Sequence, residues 1–277
     1  MTAGDVITLR ENAGGRKANL FDGTDDYMLA NAHAVARVAA NDTVGTYSAW
    51  IYKEDVSVAG DILSAGDNNS ADEFLSIGIT TTGQLQAFLK QGGTNQFIIR
   101  SAANTISAKT WHHIAVVQNG IQPALYIDGE NVTATNDTAT DITMWYDELA
   151  NVDKFAIGVR ESNATHTQDF RGAIGQVKYW DSALSAPDIL AEYNATSDGT
   201  AFGSYGTPAL NITMENDGTT DSGSGADDGS LTGDAHYGGE VSAHSQAVEA
   251  NVTGHAAETI DTFIQGSKYV SIIKRGD

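Results

Sequence analysis

The chain has 277 residues, 41% of them hydrophobic, which is enough for one large domain or for a domain with appendages. It contains no Cys, so a disulfide framework and Cys-based metal or redox sites are excluded. Its 36 acidic and 15 basic residues give a formal charge of −21, which argues against nucleic-acid partners because phosphate binding needs a basic face.

Short segments rich in β-branched and aromatic residues follow one another along the chain, separated by turns that contain Gly, Asn and Asp. They predict strands over residues 18–21, 27–30, 46–52, 61–64, 73–80, 85–90, 97–101, 111–118, 124–128, 154–159 and 173–180. Strands of this number and spacing favour an all-β fold, a two-sheet antiparallel jelly-roll sandwich. One helix is predicted, with Ser185 as its cap, Pro187 in its first turn, and Ile189 and Tyr193 on one face.

Residues 111–130 read WHHIAVVQNGIQPALYIDGE and predict an antiparallel hairpin. Two apolar runs, 113–117 and 124–127, flank a polar connection, and the second run stops at a turn dipeptide, Asp128-Gly129. His112 and His113 are neighbours on a strand and would point to opposite faces, with His113 expected as a core or edge histidine and not as a metal ligand.

The hairpin resembles the W-x-H-[IV]-A-x-V … L-Y-[IV]-D-G hairpin of laminin-G-like, concanavalin-A-like and pentraxin-like jelly-roll domains. Six other segments are similar to this family in the same order, at residues 18–28, 47–52, 74–90, 155–159, 170–180 and 183–194. The resemblance implies a jelly roll over residues 18–196. It does not imply one function, because this fold serves adhesion, sugar binding, catalysis and assembly.

Composition divides the chain into four regions. The expected order is an N-terminal arm (1–17), the jelly roll (18–196), a Gly/Asp-rich lobe packed on the sandwich (197–240) and a C-terminal docking or oligomerisation segment (241–277). The last two form a C-terminal β-rich extension. Residues 209–237 resemble a segment that opens such a domain in many jelly-roll proteins and that also follows the jelly roll in virion proteins of tailed viruses. Apolar stretches at 259–265 and 269–274 favour a partner surface.

The acidic residues leave three explanations open: a solvated surface, adaptation to salt, or loops that bind Ca²⁺. Family members use groups near the first F-D-G turn and an acid after F-x-G-x-I to hold Ca²⁺, and Gly175 stands at that second position here. Asp22, Asp25 and Asp26 remain candidate oxygen ligands, and Ca²⁺ is the one cofactor that the sequence suggests. Weak or absent Ca²⁺ binding is therefore expected.

Two polar loops, 66–72 and 161–169, are candidate ligand-binding loops at a rim of the sandwich. Their side chains have the oxygen and nitrogen atoms that bind sugar hydroxyls or a cation. The residues in question are Asp67, Asn68, Asn69, Asp72, Asn163, His166, Gln168 and Asp169. No catalytic residue is assigned, because glycan cleavage needs two carboxylates that flank one bond and no predicted strand carries such a same-face pair.

Three functions compete. The first is a structural or decorating subunit of a virus particle, on the capsid or the tail, made in the host cytoplasm without a signal peptide and located at the virion surface. Its partners would be sister subunits, for example in a homotrimer, and other virion proteins. The alternative is a carbohydrate-binding adhesin that contacts host glycans. A glycan-cleaving enzyme is the least favoured, and neither nucleic acid nor membrane is an expected partner.

Overall fold

The computed structural model describes residues 16–195, 205–214, 221–225, 228–233, 236–241, 263–265 and 268–270. Within these residues, two eight-stranded sheets, with antiparallel pairing throughout, form a sandwich. The predicted all-β jelly-roll sandwich is confirmed. Neither helix in the described part of the chain is long and apolar enough to cross a membrane.

The first sheet contains the hairpin at residues 111–130. Its strands, in spatial order, are β10 (Glu130–Val132), β9 (Ala124–Ile127), β8 (Trp111–Gln118), β3 (Gly45–Lys53), β15 (Arg171–Trp180), β1 (Arg16–Asp22) and β18 (His236–Val241), and β16 (Leu210–Ile212) also pairs with β15. Ile114 pairs with Ile127 and Val117 with Ala124, as the predicted hairpin requires.

The second sheet is formed by the middle of the chain together with one strand that precedes this region and one that follows it. Its strands, in spatial order, are β11 (Ala134–Ala139), β7 (Thr94–Ser101), β6 (Leu85–Gln91), β5 (Phe74–Ile79), β4 (Gly60–Gly66), β12 (Lys154–Ile157), β2 (Tyr27–Leu29) and β17 (Ser230–Thr232). Among the described residues, two small hairpins lie outside the sheets. One joins β13 (Arg160–Ser162) to β14 (Thr165–Thr167), and the other joins β19 (Phe263–Gln265) to β20 (Lys268–Val270).

The C-terminal regions were expected as a lobe and a docking segment. In the described residues, the Gly/Asp-rich region supplies strands to both sheets, because β16 pairs with β15, β17 with β2 and β18 with β1. The start of the apolar stretch 269–274 pairs with β19 of the same chain. Residues 1–15 of the arm, and residues 242–262, 266–267 and 271–277 of the docking segment, lie outside the described residues.

The main core lies between the sheets, and a smaller buried cluster that includes Tyr126 lies on the outer face of the first sheet. Trp50 and Tyr126 are buried, as are Ile127, Phe155 and Val177, whereas Trp111 is partly exposed. His113 is fully buried, but on the outer side of the first sheet, with its ring 5.2 Å from that of Trp50 and 6.0 Å from that of Tyr193.

The outer faces of the two sheets differ, and this difference positions the functional site. Helix α2 (Ala186–Asn194) begins with a capping box between Ser185 and Asp188, as predicted, and packs Ile189 against the outer face of the first sheet. A second helix, α1 (Asn31–Ala40), was not predicted, and it packs near β12 and a 3₁₀ turn at Tyr146–Glu148. The outer face of the second sheet has a cleft instead.

Candidate functional site

The cleft lies on the outer face of the second sheet and follows from the alternation of residues along β6. Leu85, Ala87 and Leu89 point into the core, so Gln86 and Phe88 point outwards and are partly exposed. Strand register sets Arg100 beside Gln86 and Ile98 beside Phe88. The cleft has a volume of about 280 Å³ and is lined by Ala59, Asp61, Ile79, Thr80, Thr81, Gln86, Phe88, Ile98, Arg100, Arg160 and Gln168.

Arg160 is fixed in the cleft by a carboxylate and two aromatic rings. Its Nε donates to Asp61 Oδ2 at 2.7 Å and its Nη2 donates to Oδ1 at 3.3 Å. The guanidinium carbon lies 5.0 Å from the ring centroid of Phe74 and 5.4 Å from that of Phe88. Bidentate pairing and stacking leave this guanidinium little freedom, so the cleft has a preorganised polar wall.

Asp61 is buried beneath this wall, and the backbone around it keeps it in place. Burial raises the pKa of the Asp61 carboxyl, and Arg160 opposes this shift in pKa. A Cβ atom on Gly78 of the neighbouring strand would overlap the carboxylate, so only Gly leaves room for it. The Asp61 N–H donates to the Gln168 carbonyl at 2.8 Å, which links the cleft floor to the chain after β14.

Arg100 forms a second fixed cation at the side of the cleft. Its Nε donates to Gln86 Oε1 at 2.7 Å, and its Nη1 forms an ion pair with the Asp137 carboxylate on the edge strand β11. The Arg100 side chain keeps 32% of its surface exposed, so it can still contact a ligand.

The two predicted rim loops lie side by side, and one of their candidate residues lines the cleft. Asn163 N–H donates to the Asp67 carbonyl at 2.8 Å, and the exposed Gln168 side chain faces the cleft. Several of the others contact protein groups. Asp67 Oδ1 accepts the Asn69 N–H, the Asn68 N–H bonds Asp153, and Asp72 pairs with Lys90.

His166 and Asp169 lie near the turn between β1 and β2. The His166 ring pairs with the buried Glu161 and packs 4.1 Å from the ring of Tyr27, measured between centroids. Burial raises the pKa of Asp169, and the charges of Asp22 and Asp25 raise it further. Asp169 therefore belongs to the electrostatic surroundings of the predicted metal ligands.

The three candidate metal ligands come together as the sequence suggested. One carboxylate oxygen from each of Asp22, Asp25 and Asp26 lies within 4.8 Å of the others, which is close enough to hold a cation. Two of the carboxylates already accept backbone N–H groups: Asp22 Oδ1 from Thr24 at 2.7 Å, and Asp26 Oδ2 from Asp22 at 2.8 Å.

Gly175, from which weak Ca²⁺ binding was expected, does not lie near this cluster. Asp22 lies opposite Arg171 in the strand register of β1 and β15. Gly175 lies four residues further along β15, so its Cα is about 13 Å from that of Arg171. An acid at position 175 would therefore not reach the cluster, and Asp169 is the nearby acid instead.

Ser107, His112 and Asp128 form a hydrogen-bonded series at one end of the first sheet. His112 Nδ1 lies 2.8 Å from Asp128 Oδ2, and Nε2 lies 2.9 Å from Ser107 Oγ. The Ser107 backbone N–H also donates to Nε2 at 3.2 Å, so Nε2 is unprotonated and Nδ1 carries the proton. The lone pair of His112 Nε2 thus accepts from both the backbone N–H and the hydroxyl of Ser107. This arrangement suits a structural link between the loop and the hairpin better than a nucleophile activated by a general base.

Sequence reasoning did not identify Phe88, Arg100 and Arg160 as site residues. Phe88 and Arg100 lie within strands, whereas the predicted ligand-binding residues all belong to polar loops. The sequence feature that indicates this site is the alternation of apolar and other side chains in β6, which places the aromatic ring of Phe88 on the outward face.

Comparison with known proteins agrees with the fold. Residues 22–190 match the Laminin_G_3 family model, described as the concanavalin A-like lectin/glucanases superfamily. The chain belongs to this family. No curated protein matches it.

Solved structures share the same sandwich. The CBM40 module of the Ruminococcus gnavus IT-sialidase, bound to α2,3-sialyllactose, has a TM-score of 0.53 and 16% identity, over 65% of this chain and 97% of that one. The leech intramolecular trans-sialidase has a TM-score of 0.50 and 18% identity, over 69% of this chain and 30% of that one. At these identities the similarity establishes the fold alone.

Proposed function

We propose that this chain is a non-catalytic carbohydrate-binding module and that the cleft on the second sheet binds the glycan. The observation that carries this proposal is the Arg160–Asp61 pair, held rigidly beside the partly exposed ring of Phe88. Such a site combines an apolar surface with a few fixed polar groups, as small-ligand sites do.

The chemistry of the cleft suits a sugar ring. Phe88 and Ile98 offer an apolar surface to the C–H face of the ring, and the guanidinium and amide groups around them offer donors and acceptors to its hydroxyls. Because Arg160 and Arg100 are already held by protein partners, little side-chain freedom is lost on binding.

Binding is favoured over cleavage because glycoside hydrolysis uses two carboxylates on either side of the scissile bond. Among the residues that line the cleft, Asp61 alone has a carboxylate, and that carboxylate is buried and paired with Arg160. The similarity to a carbohydrate-binding module, seen with its sugar, supports the same choice.

The proposal is tested on a broad glycan array, followed by calorimetry with the best ligand. Phe88→Ala and Arg160→Ala should each weaken binding at least about tenfold, because each removes a central contact of the site. Arg171→Ala is the matched control, since this exposed arginine lies on the first sheet, outside the cleft. A folded wild-type chain that binds no glycan, or cleft variants that bind as well as wild type, would overturn the proposal.

A second, narrower proposal is that the chain is a subunit of a virus particle. It is supported by the likeness of residues 209–237 to virion segments, and it is compatible with glycan binding because a display module can contact host sugars. Sister-subunit contacts through the C-terminal segment are part of this second proposal. Immunogold labelling of purified particles tests it, and particles that lack the chain would exclude it.

A further inference from the structure

We infer that the cleft selects uncharged sugars over sugars that carry a carboxylate. This inference rests on the proposed glycan binding and adds the class of ligand. Its basis is that both arginines of the cleft already pair with carboxylates of the protein. The strongest interaction of a guanidinium with an acidic sugar is a charged pair with the sugar's carboxylate, and here that interaction is already taken by the protein.

The charges of the cleft balance within the protein. Arg160 pairs with Asp61 and Arg100 pairs with Asp137, so the four groups have a formal sum of zero. Lys90, further along β6, lies 3.3 Å from an Asp72 carboxylate oxygen. An acidic sugar would therefore meet a carboxylate behind each cation that it approached.

Asp61 cannot move aside to release Arg160. It is buried, its carboxylate fills the space left by Gly78, and its backbone N–H is bonded to the Gln168 carbonyl. The Arg160 guanidinium is itself held between Asp61 and the rings of Phe74 and Phe88. The pair is thus a permanent part of the cleft wall.

The remaining polar groups of the cleft are uncharged. Thr80 and Thr81 supply hydroxyls, and Gln86 and Gln168 supply amides, all of which suit sugar hydroxyls. The formal charge of −21 on the whole chain adds a repulsion that any anionic ligand must overcome, most strongly at low ionic strength.

The test uses matched probes that differ by one carboxylate. Neutral oligosaccharides, such as lactose-terminated glycans, are compared with the same glycans capped by sialic acid, and neutral glucans with their uronic-acid counterparts. The wild-type chain should bind the neutral member of a pair at least about tenfold more tightly, and its affinity for neutral sugars should change little with salt.

Two charge variants separate the effect of the Arg100–Asp137 ion pair from the effect of the net charge of the chain. Asp137→Asn frees the Arg100 guanidinium and should move the preference towards the acidic member several-fold. Glu130→Gln changes the net charge equally at an exposed position on the first sheet and should leave the preference unchanged.

The outcomes distinguish the two proposals. Tighter binding of the carboxylated probes, weakened by salt, would overturn the selection for uncharged sugars while glycan binding stands. An Asp137→Asn variant with the wild-type preference would show that pairing of Arg100 does not set the selectivity. Binding of no probe at all would remove both proposals together.

Discussion

Lys53 places an ammonium group inside the sandwich, where charged side chains are rarely found. Its Nζ lies 4.7 Å from the ring centroid of Phe170 and makes no hydrogen bond to any described residue. Burial lowers the pKa of Lys53 to about 8, while Asp55 acts to raise the pKa and Arg171 to lower it. The folded chain therefore binds this proton more weakly than the unfolded chain does.

Lys53→Met should stabilise the chain at pH 7, because an apolar side chain of similar length removes the cost of burying a charge. The gain should be on the order of 1–2 kcal/mol, since each pKa unit is worth about 1.4 kcal/mol and nearby solvent reduces the full effect. Because the pKa of Lys53 is lower in the folded chain than in the unfolded chain, the free energy of unfolding of the wild type rises between about pH 8 and 10.5. The difference in this free energy between the variant and the wild type should therefore shrink in that range. Urea unfolding at pH 7 and pH 9.5 measures it, and a less stable variant at pH 7 would contradict the prediction.

At the scale of elements, His112 joins the loop after β7 to the β8–β9 hairpin. Its two nitrogens contact Ser107 and Asp128, and Asp128 Oδ1 also accepts the His113 N–H at 2.9 Å. Burial alone would raise the pKa of Asp128, but its bonds with His112 and His113 lower that pKa overall.

His112→Ala should destabilise the chain by about 1–3 kcal/mol, because it leaves polar groups of the loop and the hairpin without their partner. Thr110→Ala, at an exposed position of the same loop, should change the free energy of unfolding by less than about 0.5 kcal/mol. Chemical denaturation compares the two, and equal stabilities would contradict a linking role for the histidine.

The turn between β1 and β2 gives a prediction about metal. Ca²⁺ should bind the Asp22, Asp25 and Asp26 cluster weakly, with a Kd of about 10⁻⁴–10⁻³ M, because two of these carboxylates already accept backbone donors. Asp25→Asn should abolish the binding measured by calorimetry. A micromolar Kd, or binding that survives this change, would show that the turn is not a weak site of this kind.

The elements that the sequence predicted are those with strong local patterns. Alternating β-branched residues, the Asp128-Gly129 turn and the Ser185 cap each reflect interactions between near neighbours. Helix α1 was missed because Ala30 provides no side-chain cap and because its buried face carries His33 and Arg37 beside Ala34 instead of large apolar side chains. Its stop at Asn41 requires a positive φ that becomes evident only in the structure.

The candidate site was harder to predict because its residues are brought together by pairing across strands. Arg160 and Asp61 are 99 positions apart, and their contact depends on how β13 folds over β4. Of the predicted rim residues, Gln168 alone lines the cleft, whereas the Asp22, Asp25 and Asp26 cluster lies within one turn and was visible in the sequence.

At the scale of the whole molecule, the two sheets have different roles. The first is covered on its outer face by α2 and the residues around Trp180, whereas the second presents Phe88 and the paired arginines. An acidic chain with a charge-balanced cleft on its open face suits the recognition of uncharged glycans.

The most direct test is a crystal structure of the chain with the tightest-binding neutral glycan from the array. The glycan should lie over the Phe88 ring, with its hydroxyls bonded to Arg160 and Gln86 and the Arg160–Asp61 pair intact. A glycan bound elsewhere, for example at the Asp22–Asp26 turn, with the cleft left empty, would contradict the assignment of this face as the binding site.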